Sequence, residues 1–321
     1  MKKFCAVFFC VLAFILSACN NTPPQENDNF EELIVVGFSQ VGAESDWRAA
    51  NTKSMQSALS EENGYRLIFD DAQQKQERQI NAIRSFIQQN VDYIVLAPTT
   101  EQGWDTVLKE AQTAGIPVII IDRMIEVEDD SLFTCWIGSD FKKEGEKAVT
   151  WLEEKFGSEP VKIIHLQGNI GSSAQIGRTN GLDEGLLRNP NWSLAARESG
   201  EFTQAKAQEL MWQYADLDFN VVYAENDNMA YGAIDVLKER GLEPGEDVIV
   251  ISFDASRRGL ELTLKGDISY NVECNPLLGY SVGEIINKLE AGETPPKLTY
   301  VPEVSFSHDD ITQGMIDSRG Y

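Results

Sequence analysis

Along most of the chain a short apolar run gives way to a longer stretch whose apolar residues recur every three or four positions, and the pair then repeats. Leu33–Phe38 reads as a strand, and Trp47–Glu62 as a helix with Met55, Ala58 and Leu59 on its inner face. Arg66–Asp70 and Gln74–Gln89 repeat the pair, with Ile80, Ile83 and Ile87 at helical spacing. Tyr93–Ala97 and Val118–Ile121 flank a helix from Gln102 to Ala114, which Gly115 and Pro117 close. The second half brings strands at Val161–Leu166, Ala195–Ser199, Val221–Ala224 and Val248–Phe253. Helices begin near Ser173 and span Thr203–Tyr214 and Asn228–Arg240. Continuous apolar strands alternating with amphipathic helices imply parallel sheets covered on both faces. Roughly ten such strands in about 290 residues exceed one comfortable core, so two α/β domains with doubly wound parallel sheets are expected. A single (β/α)₈ barrel is the competing architecture.

Polar residues stand directly after the strand ends: Ser39-Gln40, Asp70-Asp71, Asp122-Arg123, Glu225-Asn226-Asp227 and Asp254. Open parallel sheets bind ligands outside the carboxyl ends of their strands, so these positions favour a cleft between two sheets over a barrel. The stretch Val36–Met55 carries Trp47 and Arg48 just after a strand and a polar loop. An aromatic face beside a guanidinium suits a hydroxyl-rich ring. The plainer alternative is that Trp47 packs in a helix–sheet core and Arg48 is solvated.

The chain opens with Met1-Lys2-Lys3, an apolar run from Phe4 to Leu16 and then Leu16-Ser17-Ala18-Cys19. Positive charge, a short apolar core and small residues before a cleavage point make a secretory signal, 1–18, too short to span a bilayer permanently. L-S-A-C resembles the bacterial lipobox, which implies cleavage before Cys19 and its acylation; an incidental cysteine after a plain signal is the alternative. The polar, Pro-containing segment 19–31 reads as a tether. The expected location is therefore outside the cytoplasm, lipid-anchored to the cell envelope.

The 51 acidic residues outnumber the 27 basic ones, for a net charge of −24. Such a surface disfavours nucleic acid and anionic lipid headgroups. The only histidines, His165 and His308, are far apart, so no metal site and no cofactor are expected. Of five cysteines, Cys5 and Cys10 fall in the signal and Cys19 is the anchor. Cys135 and Cys274 remain, both in apolar strand-like runs. A disulfide between them and two buried free thiols are both open readings.

The segments G-F-S-Q…W-R-A-A, D-A-Q-Q-K-Q-E-R-Q-I, V-D-Y-I-V-L-A-P, I-D-R, R-T-N-G, E-N-D-N-M-A-Y-G-A-I and S-F-D-A resemble periplasmic binding proteins of the ribose/galactose type. The likeness runs from Leu33 to about Leu289 and is strongest to the galactofuranose-binding components of bacterial ABC sugar importers. It implies two domains joined by a three-segment hinge, 32–138 plus 255–272 and 139–254 plus 273–321. It implies a monomer that captures a monosaccharide and hands it to a membrane permease and ATPase.

Carried over by motif, the ligand-binding set is Ser39, Trp47, Arg48, Asp122, Arg123, Arg178, Phe202, Asn226, Asp254 and Glu273. The resemblance implies that Asp122 and Arg123 grip adjacent hydroxyls, that Trp47 and Phe202 stack, and that Arg178 and Asn226 reach the sugar from the second domain. It places Asp254 at the second inter-domain crossing, and Cys135 and Cys274 near the first and third. Asp227 is read instead as a helix-capping residue. Two other functions fit the same residues. One is a sugar-sensing receptor of the same fold that signals to a membrane kinase or chemoreceptor; the other is a glycosidase using two carboxylates. Transcriptional regulators of this fold are set aside, because a signal peptide stands where their DNA-binding segment would be.

Overall fold

The computed structural model describes residues 33–321; the expected signal peptide, tether and lipidation residue Cys19 lie outside the described residues. The first elements are β1 (Ile34–Gln40), α1 (Asp46–Ala58), β2 (Tyr65–Asp71), α2 (Gln76–Gln88), β3 (Tyr93–Leu96), α3 (Asp105–Thr113), β4 (Val118–Ile121) and β5 (Cys135–Gly138). There follow α4 (Phe141–Phe156), β6 (Val161–Gln167), α5 (Ser173–Arg188), β7 (Trp192–Ser199), α6 (Gln204–Gln213), β8 (Val221–Ala224), α7 (Asp227–Glu239) and β9 (Ile249–Asp254). The chain ends with α8 (Arg257–Lys265), β10 (Tyr270–Glu273), α9 (Gly279–Glu290), β11 (Leu298–Tyr300), β12 (Ser305–Phe306) and α10 (Gln313–Ser318). Two six-stranded sheets result, in the orders β11-β5-β4-β3-β1-β2 and β12-β10-β9-β8-β6-β7. Every pairing is parallel except that of β12 on β10. This is the doubly wound two-domain α/β architecture expected from the alternation, and the barrel is excluded.

Each sheet is apolar on both faces. Phe38, Val95, Ile119 and Ile121 face one cluster of the first sheet, while Ile94, Leu96, Val118 and Ile120 face the other. Alternate residues of one strand thus enter opposite cores, which is why the strands read as continuous apolar runs. The second sheet repeats this with Ile164, Val222 and Val250 against Ile163, Val221 and Ile251. In both sheets the strand order reverses beside the first strand, between β2 and β3 around β1 and between β7 and β8 around β6. The crevices at these switch points face one another.

The chain partition differs from the expected one. β10 pairs with β9 in the second sheet, so 255–272 belongs to the second lobe, not the first. β11 pairs with β5 in the first sheet, so the segment with α9 and β11 returns to the first lobe. The pattern shows that an element is a strand, but not which of two similar sheets adopts it. The three crossings accordingly lie after β5, after β10 and after β11. Asp254 is at none of them; it reaches the cleft from the tip of β9. Cys274 sits at the second crossing rather than the third.

Cys135 and Cys274 are both buried and free. Cys135 packs in the core of the first sheet, where burial pushes its thiol up to about 11. Helix α1 stops at Ala58, earlier than its periodicity suggests, and a short 3₁₀ turn at Glu61–Asn63 follows. Among the described residues, no helix is long and apolar enough to cross a membrane.

Candidate functional site

The first wall of the cleft is built from the loop after β1. Ser45 caps α1 by accepting from Arg48 N at 3.2 Å, which fixes Trp47 and Arg48 in the first helical turn. Arg48 is buried, and its Nη1 lies 2.7 Å from Asp122 Oδ2, an ion pair off the hydrogen-bonding direction. Its Nε reaches Glu44 Oε1 at 3.2 Å and its Nη1 donates to Gln40 Oε1 at 3.1 Å. Burial alone would pull the Arg48 guanidinium down, but Asp122 and Glu44 outweigh it and leave the group above its ordinary value. Arg123 is held more loosely. Its Nη1 donates to Thr99 O at 3.2 Å, Glu44 Oε1 stands 3.8 Å from Nη2, and its Nε has no partner. Burial, followed by the like charge of Arg48, brings Arg123 down to about 10.

The second wall is assembled from the ends of β6 to β9. Arg178 in α5 donates from Nε to Glu144 Oε2 at 2.7 Å and from Nη1 to the carbonyl of Glu225, leaving Nη2 toward Asp254 at 3.8 Å. Asn226 caps α7 through Met229 N at 2.9 Å and donates to Phe202 O at 3.1 Å. Burial raises the Asp254 carboxyl well above the usual range, against the pull of Arg178. The Phe202 ring lies 5.3 Å from the Arg123 guanidinium of the opposite wall. It fits because residue 168 is glycine: a Cβ there would stand 1.9 Å from the ring.

These side chains line a narrow cleft between the two walls. The closed walls touch at the rim: Asn169 Nδ2 donates to Gln74 Oε1 at 2.7 Å and Met124 N to Ser173 Oγ at 2.8 Å. A ring-sized solute therefore needs the lobes to part before it enters. Inside, Glu44 Oε2 and Arg123 Nε are buried without hydrogen-bond partners. Each such group costs about 1–3 kcal/mol unless something supplies the missing bond. Acceptors, donors and two aromatic rings converging on a small closed space suit a compact polyhydroxylated molecule.

Residues 36–294 match the periplasmic binding protein domain family. The chain belongs to that family. The galactofuranose-binding protein YtfQ of Escherichia coli (strain K12) is 38% identical over 282 residues, which cover 86% of this chain and 88% of that protein. A Mycobacterium smegmatis structure in complex with β-D-fucofuranose is 41% identical with a TM-score of 0.83, covering 86% of this chain and 92% of the other. The binding protein of the arabinose ABC transporter from Shewanella sp. ANA-3, bound to α- and β-L-arabinofuranose, is 40% identical with a TM-score of 0.81 and the same coverage. The family, YtfQ and the Shewanella protein are described as binding proteins, and the glycosidase reading is set aside.

In this binding protein Trp47, Arg48, Asp122, Arg123, Arg178, Phe202, Asn226 and Asp254 line one cavity. Two residues assigned to the site from sequence do not. Ser39 is buried behind the wall within β1. Glu273 points to the far edge, where its carboxylate accepts from Arg319, from Tyr321 Oη at 3.2 Å and from Val304 N at 3.1 Å. Asp227 is consumed by Ser252, Ser256 and Asn271, a structural role, although the cap itself is Asn226. Sequence reasoning missed Glu44, Phe141, Ala174 and Cys274, all on the cavity wall. Glu44 follows a strand end within the very loop singled out, but one glutamate among 51 acidic residues gave no contrast. Trp47 has a second duty, since its indole N–H donates to Cys274 O at 2.7 Å on the second crossing.

Three wall residues hold left-handed backbone: Asp122 at φ 61°, Phe202 at 58° and Asp254 at 107°. Such conformations cost about 1–3 kcal/mol each and persist where the surroundings dictate them. At Asp122 the carbonyl is pinned by Trp136 Nε1 at 3.1 Å, and Gly138 leaves the room it needs.

Proposed function

We propose that this protein is the extracytoplasmic receptor of an ABC importer and captures a monosaccharide in its furanose form. The observation that carries the reading is a pair of buried groups without hydrogen-bond partners, Glu44 Oε2 and Arg123 Nε, on residues that line a cavity flanked by Trp47 and Phe202. A carboxylate accepts only and a guanidinium donates only, whereas a sugar hydroxyl does both and satisfies each. The furanose assignment is supported by relatives described as binding galactofuranose, fucofuranose and arabinofuranose. In this reading Asp122, Arg123, Arg48 and Glu44 hold the hydroxyls, Trp47 and Phe202 cover the ring, and Arg178, Asn226 and Asp254 close from the second lobe. The L-S-A-C sequence supports anchoring through Cys19, and the protein acts as a monomer.

Calorimetric titration tests it, with galactofuranose, fucofuranose and arabinofuranose beside methyl galactopyranoside as the ring-locked control. One furanose binds one-to-one with a micromolar or better constant, about −8 kcal/mol, and the pyranoside does not. Heat from the pyranoside alone, or from none of the sugars with folded protein freed of carried-over ligand, sinks the furanose reading. Loss of uptake of the same sugar on deletion ties the receptor to an importer.

A further inference from the structure

Glu303 stands at the third crossing, between β11 and β12. Its Oε1 accepts from Ser139 Oγ at 2.6 Å and from Asn275 N at 2.7 Å. Those donors belong to the first and second crossings, so one carboxylate ties all three connectors. Nearby in α4, Glu144 holds Arg178 through Oε2, while its Oε1 is buried with no hydrogen-bond partner. Ligand-type atoms of Glu144, Glu303 and Cys274 lie within 4.8 Å of one another. A second cavity, at the hinge, is lined by both glutamates.

We propose that Glu144 and Glu303 share one proton in the closed hinge, and that closing the cleft on a sugar takes that proton up from solvent. A buried carboxylate and a half-buried one this close resist double ionisation. The charged and titratable groups facing them are Arg178 from α5, Asp140, Lys143 and Lys147 at the start of α4, Cys274 at the second crossing and Asp254 at the tip of β9. Arg178 neutralises Glu144, whereas Lys147 Nζ bonds the backbone carbonyl of Glu303 at 2.9 Å, not its carboxylate. The proton therefore resides on Glu303, whose carboxyl lies within 4.8 Å of the Glu144 carboxylate. Burial, followed by the charge of Glu144, lifts the Glu303 carboxyl to about 8. In this arrangement Glu144 is a positioning residue for Arg178, and the hinge proton keeps it in place without a second negative charge.

The inference rests on the sugar reading, and the sign follows from linkage. In the open form the crossings carry Glu303 away from Glu144, and its carboxyl returns toward the ordinary carboxylate range. Below that range both forms are protonated and affinity is level. As pH rises toward about 8 the closed form alone must recruit a proton, and affinity falls by up to tenfold per pH unit. Titration of the bound furanose from about pH 5 to about pH 9, in buffers of differing ionisation enthalpy, reads both the fall and the proton uptake. Glu303→Gln keeps the acceptor for Ser139 and Asn275 and offers an amide donor to Glu144. It therefore binds with a pH-independent constant close to the wild type's low-pH value.

A flat wild-type profile without buffer dependence overturns the proposal, and so does proton uptake that survives in Glu303→Gln. One equivalent of zinc bound by the full chain and lost in Cys274→Ser also overturns it, by giving the cluster to a metal. Should no sugar bind, infrared spectroscopy of the ligand-free protein at about pH 7 still tests the pair: no protonated carboxylic acid band that Glu303→Gln removes is expected while the lobes are apart, and such a band overturns proton uptake on closing.

Discussion

The two walls of the cleft carry the same kinds of side chain and treat them differently. On the second wall Asn226 and Arg178 are already engaged by their own lobe. Asn226 is spent on Met229 N and Phe202 O, and Arg178 on Glu144 and the Glu225 carbonyl. Behind them Glu225 accepts from His165, Thr179 and Gly168 N, and Asp227 from Ser252, Ser256 and Asn271. The first wall leaves Glu44 Oε2 and Arg123 Nε unpaired. Buried polar groups without partners are tolerated where a ligand completes them. On the sugar-binding reading proposed above, the contrast assigns most of the hydrogen bonding to the first wall and a rigid cover to the second.

The largest effect expected from that division is structural. Asp227→Ala strands Ser252, Ser256 and Asn271 in the second core and lowers unfolding free energy by on the order of 4 kcal/mol in urea titration. A loss of affinity without a loss of stability would instead put Asp227 on the guest side. Next comes Arg123→Ala, which weakens furanose binding by about 100-fold or more, from charged hydrogen bonds worth about 1.5–3 kcal/mol each. Because Arg123 has few internal partners, its melting temperature stays near that of the wild type; a large drop would assign Arg123 to the scaffold.

A paired comparison sharpens the point. Burial favours the neutral form of Asp254, so Asp254→Asn mimics it and changes affinity by less than about tenfold, while Glu44→Gln, which puts a donor where a guest hydroxyl must donate, costs more. Equal effects in calorimetry would erase the difference between the walls. The smallest change is Asn226→Ala. It removes a helix cap worth about 1 kcal/mol, seen in thermal unfolding, and shifts affinity by less than about fivefold.

The sheets were legible because each strand is apolar on both faces and each helix shows its spacing; Val118–Ile121 needs no tertiary knowledge to be read as a buried strand. The Asp122-Arg123 pair and Trp47-Arg48 were legible because they follow strand ends. What local pattern cannot carry is allegiance. Nothing in Y-N-V-E says that β10 joins β9 and not a strand of the first sheet, and that choice moved a domain boundary. Glu303 was equally opaque, because its meaning lies in donors from residues 139 and 275, which sequence separates widely.

The three crossings have a consequence for how the protein is made. The first sheet gains its edge only with Leu298–Tyr300, and the second only with Ser305–Phe306. Neither lobe is a contiguous piece of chain, so neither can be cut out and produced by itself. During synthesis both sheets stay incomplete until residues 298–306 have left the ribosome. A chain that must thread a translocation pore before it folds is helped by a topology that withholds completion until both edge strands arrive.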